Sequence, residues 1–129
     1  MTKQDFITQF NFFNIGSYTS QDGTVVRHKI GKHIKQSLVY AMFVDGVCMY
    51  IGKSVAGTGR PLSYHKNNVM INVRDGIRSV IAEGKTVEVY VKTCNLSVDH
   101  HGLTLNIAEA LEQALISKNS PAWNRYKHK

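Results

Sequence analysis

Leu38-Val39-Tyr40-Ala41-Met42-Phe43-Val44, then Asp45-Gly46, then Val47-Cys48-Met49-Tyr50-Ile51-Gly52, is the stretch that decides the architecture. Two β-favouring runs are separated by Asp-Gly, the pair that best tolerates the positive φ of a two-residue turn, and this predicts a β-hairpin. Beyond it, Lys53 to Gly59 is a loop of small residues. Arg60-Pro61 opens a stretch through Ala82, with proline suited to a first helical turn. We expect two helical pieces there, with a break at Asn67-Asn68 or Asp75-Gly76. Gly84 stops them before Thr86-Val87-Glu88-Val89-Tyr90-Val91-Lys92, which alternates as a half-buried strand. From Leu103 to Lys118 an apolar stripe of Ile107, Ala108, Leu111, Ala114 and Leu115 predicts a helix, ended by Asn119-Ser120-Pro121.

Upstream of the hairpin, residues 1–34 read as an N-terminal extension or arm. It begins with Phe6, Phe10, Phe12 and Phe13, and Gln21-Asp22-Gly23 before Thr24-Val25-Val26 suggests a short hairpin or arm. The basic run from Arg27 to His33 is read either as a phosphate contact or as a solvated strand. The order strand, strand, helix, strand, helix gives a mixed α/β (α+β) class. One small domain over residues 35–129 would hold a central sheet with antiparallel pairing, flanked by helices.

A length of 129 residues suits one domain with a modest core. The ordinary hydrophobic fraction and only two prolines exclude a disordered or linker-rich chain. Sixteen Lys and Arg against nine Asp and Glu leave a formal charge of +7. A field of that sign makes nucleic acid the leading partner, the alternative being a basic surface that serves solubility. Cys48 and Cys94 lack CxxC spacing and neighbouring histidines, so each is expected to be a buried free thiol. Without a signal-peptide pattern or an apolar run approaching the roughly 20 residues that span a bilayer, the protein is expected to be intracellular, away from membranes.

Two tyrosines ten positions apart on the hairpin, Gly52 after the second, and Arg60 beyond add a chemical pattern. It resembles the GIY-YIG nuclease family: Leu38-Val39-Tyr40 stands in place of the first motif, with its tyrosine kept, and Tyr50-Ile51-Gly52 is the second intact. The resemblance continues through Arg60, Tyr64, Glu112 on the last helix, and Asn124. Some members carry histidine where Tyr64 stands, which leaves His65 as a competing ring. Glu109 competes with Glu112, but at 100° per residue Glu112 borders the apolar stripe beside Ala108 while Glu109 points farther toward solvent. The ending Pro121-Ala122-Trp123-Asn124 is similar to phage members of the family.

That resemblance implies a metal-dependent DNA endonuclease leaving 5′-phosphate and 3′-hydroxyl ends. It would nick or cut double-stranded DNA with limited sequence selectivity, as in phage host-DNA degradation in the bacterial cytoplasm. The implied catalytic set is Tyr40, Tyr50, Arg60, Tyr64, Glu112 and Asn124. Tyr40 would be general base, Arg60 a planar fork for phosphate oxygens, and Glu112 the ligand of Mg²⁺ or Mn²⁺. A phenol needs a cation to lower its pKa from near 10, and metal, Arg60 and Lys53 are all open candidates. Gly52, Lys53, His65, Lys66, Arg74 and Arg78 are candidate DNA contacts, although Arg74 and Arg78, four apart, equally fit a solvated helix face. Trp123 is expected to anchor the C-terminal segment rather than stack a base. With one site per subunit, cutting both strands suggests a symmetric homo-oligomer, dimer or tetramer.

Overall fold

The computed structural model describes residues 1–65, 71–95 and 97–124. Among the described residues, three helices and seven strands are arranged in the order α1 (Lys3–Phe10), β1 (Phe13–Gln21), β2 (Thr24–Lys29), β3 (Leu38–Val44), β4 (Val47–Ser54), α2 (Ile71–Ala82), β5 (Val87–Thr93), β6 (Ser97–His100), β7 (Leu103–Asn106) and α3 (Ile107–Asn119). Five strands form one sheet in the order β2-β1-β5-β3-β4, every neighbouring pair antiparallel. The mixed α+β class expected from the sequence is the one observed.

Strand β3 is buried along all seven residues because it is covered on both faces, which explains its unbroken apolar run. On one face Leu38, Tyr40, Met42 and Val44 join Val73, Ile77 and Ile81 of α2. On the other, Val39, Ala41 and Phe43 join Phe6 of α1 and Ala108, Leu115 and Ile116 of α3. The sheet is therefore the middle of three layers.

The turn at Asp45-Gly46 has φ of 51° and 78°, the left-handed pair that Asp-Gly supplies at low steric cost. The hairpin it closes is not regular. Phe43 faces Cys48, but Met42 faces Tyr50, so Met49 is an extra residue in a β-bulge. A regular two-residue hairpin would pair Tyr50 with Ala41 and send the two tyrosines to opposite faces. The bulge shifts the phase by one residue, and Tyr40 and Tyr50 meet on the α2 face with ring centroids 5.9 Å apart.

Several sequence expectations are corrected. Residues 1–34 are not an appended arm, since β1 pairs with β5 inside the main sheet and Phe6 and Phe12 lie in the core under it. The expected hairpin is present, however, as β1–β2. Residues Arg60 to Tyr64 form turns rather than a helix, and α2 runs unbroken through Asp75-Gly76. The alternative break at Asn67-Asn68 lies outside the described residues. The last helix begins at Ile107, not Leu103, because Leu103–Asn106 pairs with Ser97–His100 around His101-Gly102, both at positive φ. Asn106 then caps α3, its Oδ1 accepting from the Glu109 amide at 3.0 Å. Ile116, and not Ala114, completes the buried stripe. Both cysteines are buried free thiols, as expected. Among the described residues no helix is long and apolar enough to cross a membrane.

Candidate active site

A cavity of about 520 Å³ lies along edge strand β4 and takes side chains from both sides of the sheet. Tyr40 and Tyr50 reach it from the α2 face; Glu109 and Glu112 come from α3, and Lys53, Val55 and Arg60 complete its mouth. The structure thus brings four of the six predicted catalytic residues into one concavity.

Gly52 makes this convergence possible. It sits opposite Tyr40 in the ladder, and a Cβ there would lie 2.6 Å from Tyr40 Cζ and 2.9 Å from Tyr50 Cε2. The missing side chain is the space in which the two rings close over the strand.

Tyr64 stands behind the cavity, its hydroxyl sharing a 2.8 Å hydrogen bond with that of Tyr40. Burial drives the Tyr40 hydroxyl well above the ordinary phenol range, the neighbouring phenols Tyr64 and Tyr50 add to the effect, and the Arg60 guanidinium opposes it. Tyr64 is raised as well, chiefly by burial, with its bonds to Tyr40 and Arg60 pulling down. Arg60 is in turn held protonated above its normal range, mainly by the field of Tyr40. The ring named by the resemblance, Tyr64, is the one in this network. His65 turns instead to a smaller cavity of about 280 Å³ beside the β1–β2 turn, where Arg78 joins it.

Glu112 is 6% exposed and one carboxylate oxygen accepts from Gln113 Nε2 at 3.2 Å, whereas Glu109 is exposed at the rim, 3.4 Å from Lys53 Nζ. Both line the cavity, but only Glu112 is buried in it. Among the described residues no group of three or more His, Cys, Asp and Glu side chains converges. The donor set is oxygen only, one buried carboxylate beside two phenols and a rim carboxylate. That set fits a hard divalent cation retaining several waters and excludes the closed tetrahedral site of a structural zinc.

Asn124 is buried but lines no part of the cavity. Its Oδ1 accepts from the Ile51 amide and its Nδ2 donates to the Ile51 carbonyl, both at 2.9 Å. This carboxamide pairs with the outer edge of β4 as a further strand would, between Tyr50 and Gly52. Trp123 beside it packs on α2 at Gly76, as an anchor should. Arg74 is part-buried near Asp75 and, like His65 and Arg78, does not line the main cavity; Lys66 lies outside the described residues.

Two sets of contacts escaped the sequence reading, which left Tyr18 unremarked and took Arg27 only as part of a basic run. Tyr18 and Arg27, cross-strand partners on β1 and β2, both reach the Arg60–Tyr64 turns. Tyr18 donates to the Pro61 carbonyl at 2.7 Å and accepts from the Tyr64 amide at 3.0 Å, and Arg27 Nη1 donates to the Leu62 carbonyl at 3.2 Å. No local motif announces such contacts, because their partners lie some forty residues away.

Comparison with known proteins gives a fold but no sequence family. No family model matches the chain, and no curated protein sequence does. Among solved structures, a mutant of bacteriophage T4 EndoII superposes with a TM-score of 0.73 at 22% identity, covering 96% of this chain and 99% of the other. A restriction endonuclease in complex with product DNA matches with a TM-score of 0.53 at 18% identity, over 93% of this chain and 82% of that one. The chain therefore carries, over nearly its whole length, the fold found in bacteriophage T4 EndoII.

Proposed function

We propose that this protein is a metal-dependent DNA endonuclease. The observation that carries the reading is the convergence of Tyr40, Tyr50, Arg60 and Glu112, remote in sequence, on one cavity of a chain with net charge +7. The likeness in fold to two endonucleases, one solved with product DNA, supports it.

In this reading a DNA phosphate docks at the mouth, where Arg60 offers a planar cation and Lys53 a second positive charge. Tyr50 and the Tyr40–Tyr64 pair orient a water molecule on the side opposite the 3′ oxygen. Tyr40 first releases its phenolic proton to solvent through the cavity mouth. The water oxygen then bonds to phosphorus while its proton passes to the Tyr40 phenolate oxygen, restoring the phenol, and the phosphorus–O3′ bond breaks, leaving 5′-phosphate and, after protonation from solvent, 3′-hydroxyl ends. Arg60 has two tasks: it steadies charge on the phosphate, and it is the side chain that counteracts burial at Tyr40. Glu112 would hold Mg²⁺ or Mn²⁺, which when bound stabilises negative charge on the leaving oxygen. Asn124 acts indirectly, fixing the strand that carries Tyr50. Duplex cleavage calls for two such cavities or for two successive nicks by one; we take the first, a homo-oligomer, dimer or tetramer, acting with limited sequence selectivity on DNA in an infected bacterial cytoplasm.

Supercoiled plasmid incubated with the protein, with and without Mg²⁺, beside Glu112→Ala tests this. Metal-dependent conversion to open-circle and linear forms, lost in the variant, is expected. A mobility shift without cleavage under every condition would overturn the enzymatic reading and leave a binding module.

A further inference from the structure

We infer that Tyr18 is a positioning residue for the proposed reaction, and that the β1–β2 hairpin is a working part of the active site rather than scaffolding. The inference rests on the endonuclease reading but draws on a different set of contacts. Tyr18 is fully buried on the α2 face of the sheet, in the same core as Tyr40 and Tyr64. Its hydroxyl uses both of its capacities on one loop, donating to the Pro61 carbonyl and accepting from the Tyr64 amide.

Those two backbone groups bracket the turns whose ends carry the chemistry. Arg60 immediately precedes Pro61, and its carbonyl is held from within the loop by the Ser63 amide at 3.2 Å and the Ser63 hydroxyl at 2.8 Å. Tyr64 closes the loop and bonds Tyr40. The stretch has no helical ladder to fix it, so the orientation of the guanidinium and the second phenol depends on bonds from elsewhere. Three of its backbone groups receive them from β1 and β2, the third being the Leu62 carbonyl held by Arg27.

Strand β1 is shaped for this task. Its register shifts between Asn14 and Gly16, where the Gly16 amide donates to Asn14 Oδ1 at 2.8 Å. A Cβ on Gly16 would meet the His28 carbonyl oxygen at 2.2 Å and Leu62 Cδ2 at 3.1 Å, so β2 and the loop close tightly on this strand just before Tyr18. A bulge there sets the phase of the rest of the strand and aims Tyr18 and its partner Arg27 at the loop together.

The test is Tyr18→Phe, which keeps the ring and removes only the hydroxyl. Hydrogen exchange of the Tyr64 amide should quicken about tenfold, the effect of one lost buried hydrogen bond, while amides of β5 remain protected. On plasmid DNA, kcat should fall about 10²-fold, the cost of reacting groups displaced by about an ångström, with KM and the affinity for uncleaved DNA unchanged. A role confined to stability would leave kcat of the folded fraction at the wild-type value and is overturned or upheld by that split. Wild-type kcat in the variant, or an unchanged Tyr64 exchange rate, sinks the inference. Failure of the wild type to cleave at all would instead refute the endonuclease reading, and the exchange measurement then still decides whether Tyr18 holds the loop.

Discussion

Replacing Asn124 with alanine removes a side chain that lines no part of the cavity, yet the consequence should be large. Among the described residues β4 is an edge strand, and the outward amide and carbonyl of Ile51 have no neighbouring strand there to pair with. The Asn124 carboxamide satisfies both, and Ile51 and Asn124 are 0% and 1% exposed. Each buried backbone group left without a partner costs about 1–3 kcal/mol, and partial entry of water at the sheet edge moderates the sum to about 2–4 kcal/mol. For a chain of this length that corresponds to a Tm lower by about 10 °C. Urea unfolding followed by far-UV circular dichroism and by the fluorescence of the single tryptophan measures it. Asn124→Asp should be no better, because its second carboxylate oxygen would oppose the Ile51 carbonyl oxygen. A loss under about 0.5 kcal/mol for the alanine variant, or an aspartate variant as stable as wild type, would refute the argument that this side chain completes the sheet.

Three further outcomes are expected from the packing and the ionisation of the site. Gly52→Ala should abolish plasmid cleavage and cost about 1–3 kcal/mol by overpacking, since its Cβ overlaps Tyr40; retained cleavage would mean that the two rings need not close there. Gly76→Ala gains about 1 kcal/mol of helix propensity but sets a Cβ 2.4 Å from the Trp123 ring, so urea unfolding should show a net loss, and a net gain would mean that Trp123 is not an anchor. Stability should fall steeply in alkali: burial raises Cys48 to about 12 and lifts Tyr18, Tyr40 and Tyr64 above the usual phenol value. The folded chain keeps protons that the unfolded chain releases, so the contribution is complete below about pH 8.5 and is lost upward at about 1.4 kcal/mol per pH unit for each group past its unfolded pKa. A urea midpoint level from pH 7 to pH 11 would contradict that burial.

The sequence made local elements legible and left distant pairing hidden. Asp45-Gly46 announced its hairpin because turn chemistry is written in adjacent residues, but the bulge at Met49 was not, although it decides whether the two tyrosines share a face. Residues 1–34 read as an extension because the partner of β1 is β5, some seventy positions on. Leu103-Thr104-Leu105 was absorbed into the helix after it, since an exposed two-stranded hairpin carries little apolar periodicity. At the site, helical geometry alone favoured Glu112 over Glu109, and the burial of the first and exposure of the second agree with it. Asn124 was legible as a residue that holds neighbouring groups in place, but its hold on Ile51 was not, because a motif records which residues recur together and not which atoms they touch.

The central place of β5 orders the making of the molecule. Strands β1–β2 and β3–β4 are each local hairpins, complete once residue 54 has been synthesised, and such hairpins form in microseconds. Neither can join the other until β5 enters between them, so both inner edges wait open while α2 is made. Glu112 and the Asn124 clasp arrive later still. A chain in which α3 has not yet been made therefore holds the tyrosines and arginine without the carboxylate and the edge contact that finish the cavity. The cavity is thus finished last, by α3 and the Asn124 clasp, after both hairpins have been made.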